Sequence, residues 1–465
     1  MIDQLMRNKT ALLVMASALA LFIVAEGAVL CYLGAQTTTP VAEAPTPTTG
    51  PEPTDAPTIV IITPVPPSPT AAATFTTAPA TATLELPTAT AGPSPTTTRT
   101  PKPTTTPLPP VPTPTPGAFR MNTPEYGVHV LLWANAERVR DLNHAQNAGL
   151  TWVKQLFQWN YIEPAKGQFE WEESDRIVRL CNQHGVKIVA RLDATPRWAR
   201  DQSTNLDTDG PPRKEVAYAR FVEAFVRRYA VGSPHGRVHA VELWNEPNLA
   251  RAWGDQRPDV AGYVALLKAG YQAAKRADPN VIVVSAGLSP TTASGDIATP
   301  DVEYLRQMYA HGAKPYFDVL GAHGAGFKAP PEMSPDEVAN NSTYNNGEMG
   351  TGRVYCFRHV EDLRRVMVEN GDGDKQIMIL EFGWTSDEVN PNYSWFRVSE
   401  QEKADYIVRA YGWAKAHWQP WMGAMCVIYI SPHWWTPQDE QYWWAITNPD
   451  GTTRPAYEAI KAMPK

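Results

Sequence analysis

After Tyr126 the chain alternates short apolar runs with amphipathic stretches, eight times over, and this rhythm limits the fold more than any other feature. The strand candidates are Gly127–Trp133, Trp152–Phe157, Val186–Leu192, Val238–Trp244, Val281–Ala286, Phe317–Ala322, Ile377–Glu381 and Met422–Ile430. The helix candidates are Glu137–Ala148, Glu172–His184, Val216–Tyr229, Val260–Ala277, Asp301–Ala310, Arg358–Asn370, Glu400–Ala416 and Pro455–Ala462. Many of the strand runs are apolar almost throughout, as expected of strands covered on both faces in a parallel sheet. Eight strand–helix units predict an α/β chain closed into a (β/α)8 TIM barrel. The rival, an open doubly wound sheet, would be favoured by a glycine-rich phosphate loop after the first strand. The first turn reads Trp133-Ala-Asn-Ala-Glu137 and carries no such loop.

The chain ahead of this pattern cannot join it. Residues 37–117 hold 22 of the 44 prolines, 26 threonines and six charges. Such a stretch has too little apolar surface to offset the entropy of ordering, which predicts a disordered Thr/Pro-rich linker. Before it, Ala11–Leu33 is an apolar run long enough to span a bilayer as a transmembrane helix. Arg7 and Lys9 precede the run and no basic residue follows until Arg99, so the positive-inside rule puts the rest of the chain outside. A cleaved signal peptide is the other reading of this segment. The expected organisation is a membrane anchor or signal over 1–36, a linker over 37–117 and a barrel over 118–465. The barrel is then membrane-anchored outside the cytoplasmic membrane, or secreted if the first segment is cleaved. The formal net charge of −7 gives no basic field for nucleic acid. Cys31, Cys181, Cys356 and Cys426 form no paired motif, so neither a disulfide framework nor a metal site is expected.

In a barrel of this kind chemistry gathers at the carboxyl ends of the strands. There the sequence places Glu242-Leu-Trp-Asn-Glu246-Pro-Asn248 after strand four and Ile379-Leu-Glu381-Phe-Gly-Trp384 on strand seven. Other strand ends supply Trp133, Gln158, Trp159, Asp193, Trp198, His323 and Trp434. Two carboxyl groups among aromatic rings suit glycosidic bond cleavage. One must give a proton to the leaving oxygen, while the other attacks the anomeric carbon or activates water. Aromatic faces cover the C–H faces of a sugar. Glu242 shares a strand face with Glu246 by period-two alternation but lies deeper, which predicts a structural ion pair with Lys154 or Arg191.

Trp244-Asn-Glu-Pro247 resembles the acid/base motif of clan A retaining glycoside hydrolases, and Leu380-Glu-Phe-Gly-Trp384 resembles their nucleophile strand. Trp159-Asn-Tyr-Ile-Glu-Pro-Ala-Lys-Gly-Gln-Phe-Glu-Trp171 and Pro196-Arg-Trp-Ala199 are similar to their second and third strand ends. The likeness is greatest to glycoside hydrolase family 39, with families 5 and 42 close. It implies a glycosidase acting by double displacement on β-linked saccharides, with Glu246 as acid/base and Glu381 as nucleophile. Asn245 would bind the sugar 2-hydroxyl, and His323 would match the clan's histidine at the substrate. From their places near strand ends, Trp133, Trp198, Trp384 and Trp434 are further expected sugar contacts. Glu246 would start protonated and Glu381 ionised. The clan often has His-x-Tyr where this chain has His323-Gly-Ala325, so Tyr344 or Tyr355 is the expected substitute for the missing tyrosine. The insertion Ala329–Cys356 would be a cleft wall or a bystander. No metal or organic cofactor is called for, since two carboxyl groups and water suffice. The alternative is a non-catalytic carbohydrate-binding protein on a glycosidase-like barrel.

Overall fold

A computed structural model describes residues 120–122 and 124–465. The expected anchor and Thr/Pro linker lie outside the described residues. The described chain closes a parallel barrel of eight strands in sequence order, with β1 pairing to both β2 and β8. The strands are β1 Glu125–Val130, β2 Trp152–Gln158, β3 Lys187–Asp193, β4 Ala240–Leu243, β5 Ile282–Ser285, β6 Val319–Ala325, β7 Gln376–Gly383 and β8 Met422–Val427. The principal helices that follow them are α1 Arg138–Asn147, α2 Glu172–Gln183, α3 Glu215–Arg228, α4 Val260–Ala277, α5 Asp301–Ala310, α6 Val360–Glu369, α7 Glu400–His417 and α8 Pro455–Ala462. Helix starts follow local chemistry. Asp259 caps α4 by accepting from the Gly262 N–H, and Ser399 with Glu402 forms a reciprocal capping box on α7.

Period-two alternation sorts the strand side chains into two environments. Val153, Val241, Leu243, Ile377 and Ile379 face outward into the core shared with the helices. Trp152, Val189, Ala240, Ile282, Val284, Val319, Met378, Leu380 and Ala424 fill the lower barrel interior. Two residues further along β2, β3 and β4, the inward positions become Lys154, Arg191 and Glu242, all buried. The interior is therefore apolar at its base and ionic towards the carboxyl ends of the strands.

All eight strand ends shift from expectation, and four of the shifts have a visible local cause. β1 ends at Val130 because the Leu132 N–H donates to the Gln155 side chain instead of to a neighbouring strand. β4 stops at Leu243 because Trp244 turns into the left-handed region (φ +77°). β6 runs on through His323 to Ala325: after a register shift at Ala322/His323, residues 323–325 pair with Glu381, Phe382 and Gly383. Gly324 and Ala325 lack the apolar bulk that marks a strand in sequence. β8 ends at Val427, and Ile428 joins a separate aromatic cluster with Tyr429, Trp435 and Trp444.

Candidate active site

The turn after β4 aims Glu246. Trp244 and Glu246 both take positive φ (+77° and +44°), a costly conformation for side chains of this size and one that collects at functional sites. Surrounding hydrogen bonds hold it there. The Glu246 N–H donates to the Gly287 carbonyl (3.0 Å), and the Trp244 indole N–H donates to the Ala252 carbonyl (2.9 Å). Asn248 ties the turn to the loop beyond β5, donating to the Ser289 and Thr299 carbonyls while its Oδ1 accepts from the Ser289 N–H. The Trp-Asn-Glu-Pro-Asn run is thus a backbone clamp as well as the carrier of a carboxylate.

Glu246 and Glu381 line one cavity of about 340 Å³ at the carboxyl end of the barrel. His323 stands between them. Its Nδ1 is 3.0 Å from Glu246 Oε1, and its Nε2 is 3.9 Å from Glu381 Oε1. The ring reaches this position because residue 287 is glycine: a Cβ there would lie 2.4 Å from the imidazole.

The two carboxylates have different partners. Glu381 meets the Lys154 ammonium at 2.8 Å and His129 Nδ1 at 3.3 Å. Burial pushes its pKa up, but Lys154, with His323 and His129, outweighs burial and holds the carboxyl well below the usual range. Burial likewise raises Glu246, yet the Arg251 guanidinium and His323 bring it down to about 2. Arg251 pairs with Oε2, so both oxygens of Glu246 are engaged. The expectation that Glu246 is protonated beside an ionised Glu381 is therefore corrected: its partners favour the anion in both cases. A third carboxyl, Glu440, lines the same cavity and takes a hydrogen bond from the Trp444 indole at 2.7 Å. Burial raises Glu440 to about 8, against the lowering influence of that bond and of Arg251.

Glu242 lies beneath, 3.2 Å from Lys154, so one buried ammonium serves two carboxylates. Neither expected substitute tyrosine reaches the nucleophile position. The Tyr355 hydroxyl binds Glu348 and Thr292, and Tyr344 packs with Ala329, Val338 and Val354. The insertion does reach the cavity, through Asn346 and Tyr355, where Trp395 and Phe327 add aromatic wall. Asn245 lies next to Glu246 with a buried Oδ1 that has no partner.

The tryptophans fare differently. Trp384 is fully buried, donates to the Ala329 carbonyl and packs against Gly326 and Phe357, so it is a core residue and not a sugar contact. Tryptophan next to a strand end looks the same in sequence whether it points to the cavity or, as here, outward to the helices. Trp133 stacks on Tyr161, Trp198 donates to the Glu163 carbonyl, and Trp434 packs edge-on to His433. None of these lines the cavity around Glu246. Sequence reasoning missed Arg251, Glu440 and the contacts of Lys154 and His129 with Glu381. His129 was readable by alternation along β1, whereas Arg251 and Glu440 sit on the short helical segments Ala250–Ala252 and Glu440–Trp444, which are too short to show a period.

Residues 131–226 match the glycoside hydrolase 42 family model, described as beta-galactosidase. Over 123 residues the chain is 32% identical to Beta-galactosidase Bga of Halorubrum lacusprofundi, which is 22% of this chain and 17% of that protein. Beta-galactosidase BgaH of Haloferax lucentense is 30% identical over 88 residues, 18% of this chain and 13% of that protein. The chain thus spans less than a fifth of the curated relatives it matches, and the family match ends before Glu246. Among solved structures the barrel resembles a family 39 glycoside hydrolase from Bacteroides cellulosilyticus. That comparison has a TM-score of 0.53 and 18% identity, and covers 73% of this chain and 63% of the other. It also resembles a GH5_18 protein from Streptomyces cattleya, with TM-score 0.52 and 13% identity over 73% of this chain and 79% of the other. At these identities the structural likeness establishes the fold. Residues 131–226 are thus similar to a glycoside hydrolase family, and the barrel has the fold seen in a family 39 glycoside hydrolase.

Proposed function

We propose that the barrel hydrolyses β-glycosidic bonds by double displacement. The observation that carries this reading is the placement of Glu246 and Glu381 on one cavity with a single imidazole between them. In the first step Glu381 attacks the anomeric carbon while the leaving oxygen takes a proton from Glu246. In the second step Glu246 takes a proton from water, whose oxygen displaces Glu381 and frees the sugar. Lys154 keeps Glu381 ionised and so ready to attack. Asn245, beside Glu246 but off the cavity lining and with its unpartnered Oδ1 buried, would have to turn inward to bind the 2-hydroxyl. The hydrogen-bonding carboxyl of Glu440 adds a polar partner for a sugar hydroxyl in the same cavity.

The test is a panel of aryl β-glycosides, headed by the β-galactoside because of the activity named for the sequence relatives. Hydrolysis by the wild-type protein, lost in Glu381→Gln, supports the reading. No release from any substrate sinks it. Ala325, and a Glu246 already paired to Arg251, favour the second reading of a carbohydrate-binding barrel without turnover. Glycan binding undiminished by Glu381→Gln, with no hydrolysis, would select that one. The same proposal puts the barrel outside the cytoplasmic membrane, on the sequence of Ala11–Leu33. Protease accessibility of the barrel on intact cells tests this placement.

A further inference from the structure

We infer that Arg251 is a removable counter-ion of Glu246, which must leave the carboxylate before that side chain can deliver a proton to a leaving group. The inference rests on reading Glu246 as the acid/base. An acid proton has to reside on one carboxyl oxygen and point at the leaving oxygen. Oε1 is taken by His323 Nδ1 at 3.0 Å, and Oε2 is taken by Arg251. A guanidinium can only donate, while an imidazole nitrogen donates or accepts by tautomer, so an acid proton on Glu246 asks one of the two contacts to yield or to reverse.

His323 is poorly placed to yield. Its backbone is paired within the barrel opposite Glu381, its ring is packed against Gly287, and its second nitrogen faces Glu381. Arg251 belongs to a single turn, Ala250–Ala252, beyond the end of β4, and its side chain lies on the cavity wall. Glu440, on the same wall, is near enough to Arg251 for the guanidinium to lower its proton affinity. A second carboxyl is thus available towards which Arg251 can turn. The groups that face Glu246 are Arg251 from the β4 loop, His323 from β6 and Glu381 from β7. The Tyr393 hydroxyl on the short helix Pro391–Ser394 beyond β7 and that of Tyr429 beyond β8 also lie near it. Among these, Arg251 is the main influence opposing burial. Without it, burial pushes the Glu246 carboxyl towards its protonated form with His323 as the chief remaining counterweight. Arg251 is therefore a positioning residue that sets when Glu246 can act as an acid.

The experiment titrates Glu246 by carbon NMR of the side-chain carboxyls in the whole protein, with the signal assigned by its loss in Glu246→Gln. Arg251→Gln should move the Glu246 titration upward by about one pH unit or more, and Arg251→Lys should leave it in place. If Arg251→Gln does not fold, Arg251→Met is the second neutral variant. In parallel, the basic limb of kcat/KM for an alkyl β-glycoside should move to higher pH in the neutral variant and not in Arg251→Lys. An identical Glu246 titration in the wild type and the neutral variant overturns the inference. A shifted titration in a protein that hydrolyses no glycoside supports the Arg251 assignment while defeating the proposed function.

Discussion

The Lys154 ammonium lies 2.8 Å from Glu381 Oε1 and is fully buried, so the carboxylate at the cavity is anchored to a cation in the barrel interior. The same ammonium meets Glu242 at 3.2 Å. Lys154→Met would strip both carboxylates of this cation at once. Removing one partner from a buried ion pair costs about 3–5 kcal/mol. The burial that already pushes Glu381 upward would then meet less opposition, so the carboxyl would need a higher pH to ionise. We expect a lower denaturant midpoint for Lys154→Met and an acid limb of the pH–rate profile displaced to higher pH. An unchanged midpoint would show that the Lys154 pair contributes nothing to the fold.

His359 supplies a stability prediction away from the cavity. It is buried, with Nε2 2.8 Å from Asp301 and Nδ1 3.4 Å from Asp362. Burial pulls its pKa down, but the two carboxylates, Asp301 foremost, overcome this and raise it to about 9. An unfolded histidine titrates near about 6.5, so the folded state binds this proton more tightly. The contribution is fully present below the unfolded value and disappears as pH rises through about 9. It is on the order of 3 kcal/mol. Denaturant unfolding of wild type and His359→Gln from neutral to alkaline pH should show a gap that closes as pH rises. A gap that stays constant would contradict the assignment.

Trp384 should behave as a packing residue. Its ring is fully buried and its indole N–H donates to the Ala329 carbonyl at 3.0 Å. Trp384→Ala is expected to cost about 3–5 kcal/mol of stability through the cavity it leaves. The KM of the protein that remains folded should change little. A variant of unchanged stability but weakened substrate binding would return Trp384 to the sugar site.

The barrel could be read from the sequence because a strand covered on both faces is apolar throughout, and such runs stand out against the helical stretches between them. Where the pattern fails, a local cause is visible. Gly324 and Ala325 carry β6 past its apolar run, and Leu132 spends its N–H on Gln155 and so leaves the β1 ladder. The two carboxyl positions were legible because each stands at a strand end, where fold alone decides the neighbourhood. Their protonation was not, because it depends on Arg251, His323 and Lys154, which lie 5, 77 and 227 residues away from the carboxylates they meet. For the tryptophans, sequence gives the position along the chain but not the side of the sheet reached once the strand has ended.

The central claim is that Glu381 forms a bond to the sugar. The direct measurement is mass spectrometry of the protein after incubation with an activated 2-deoxy-2-fluoro-β-glycoside, whose glycosyl-enzyme is slow to hydrolyse. One added fluoroglycosyl group is expected on the peptide that carries Glu381, absent in Glu381→Gln. A label on another residue, or a glycoside consumed with no label formed, would contradict it.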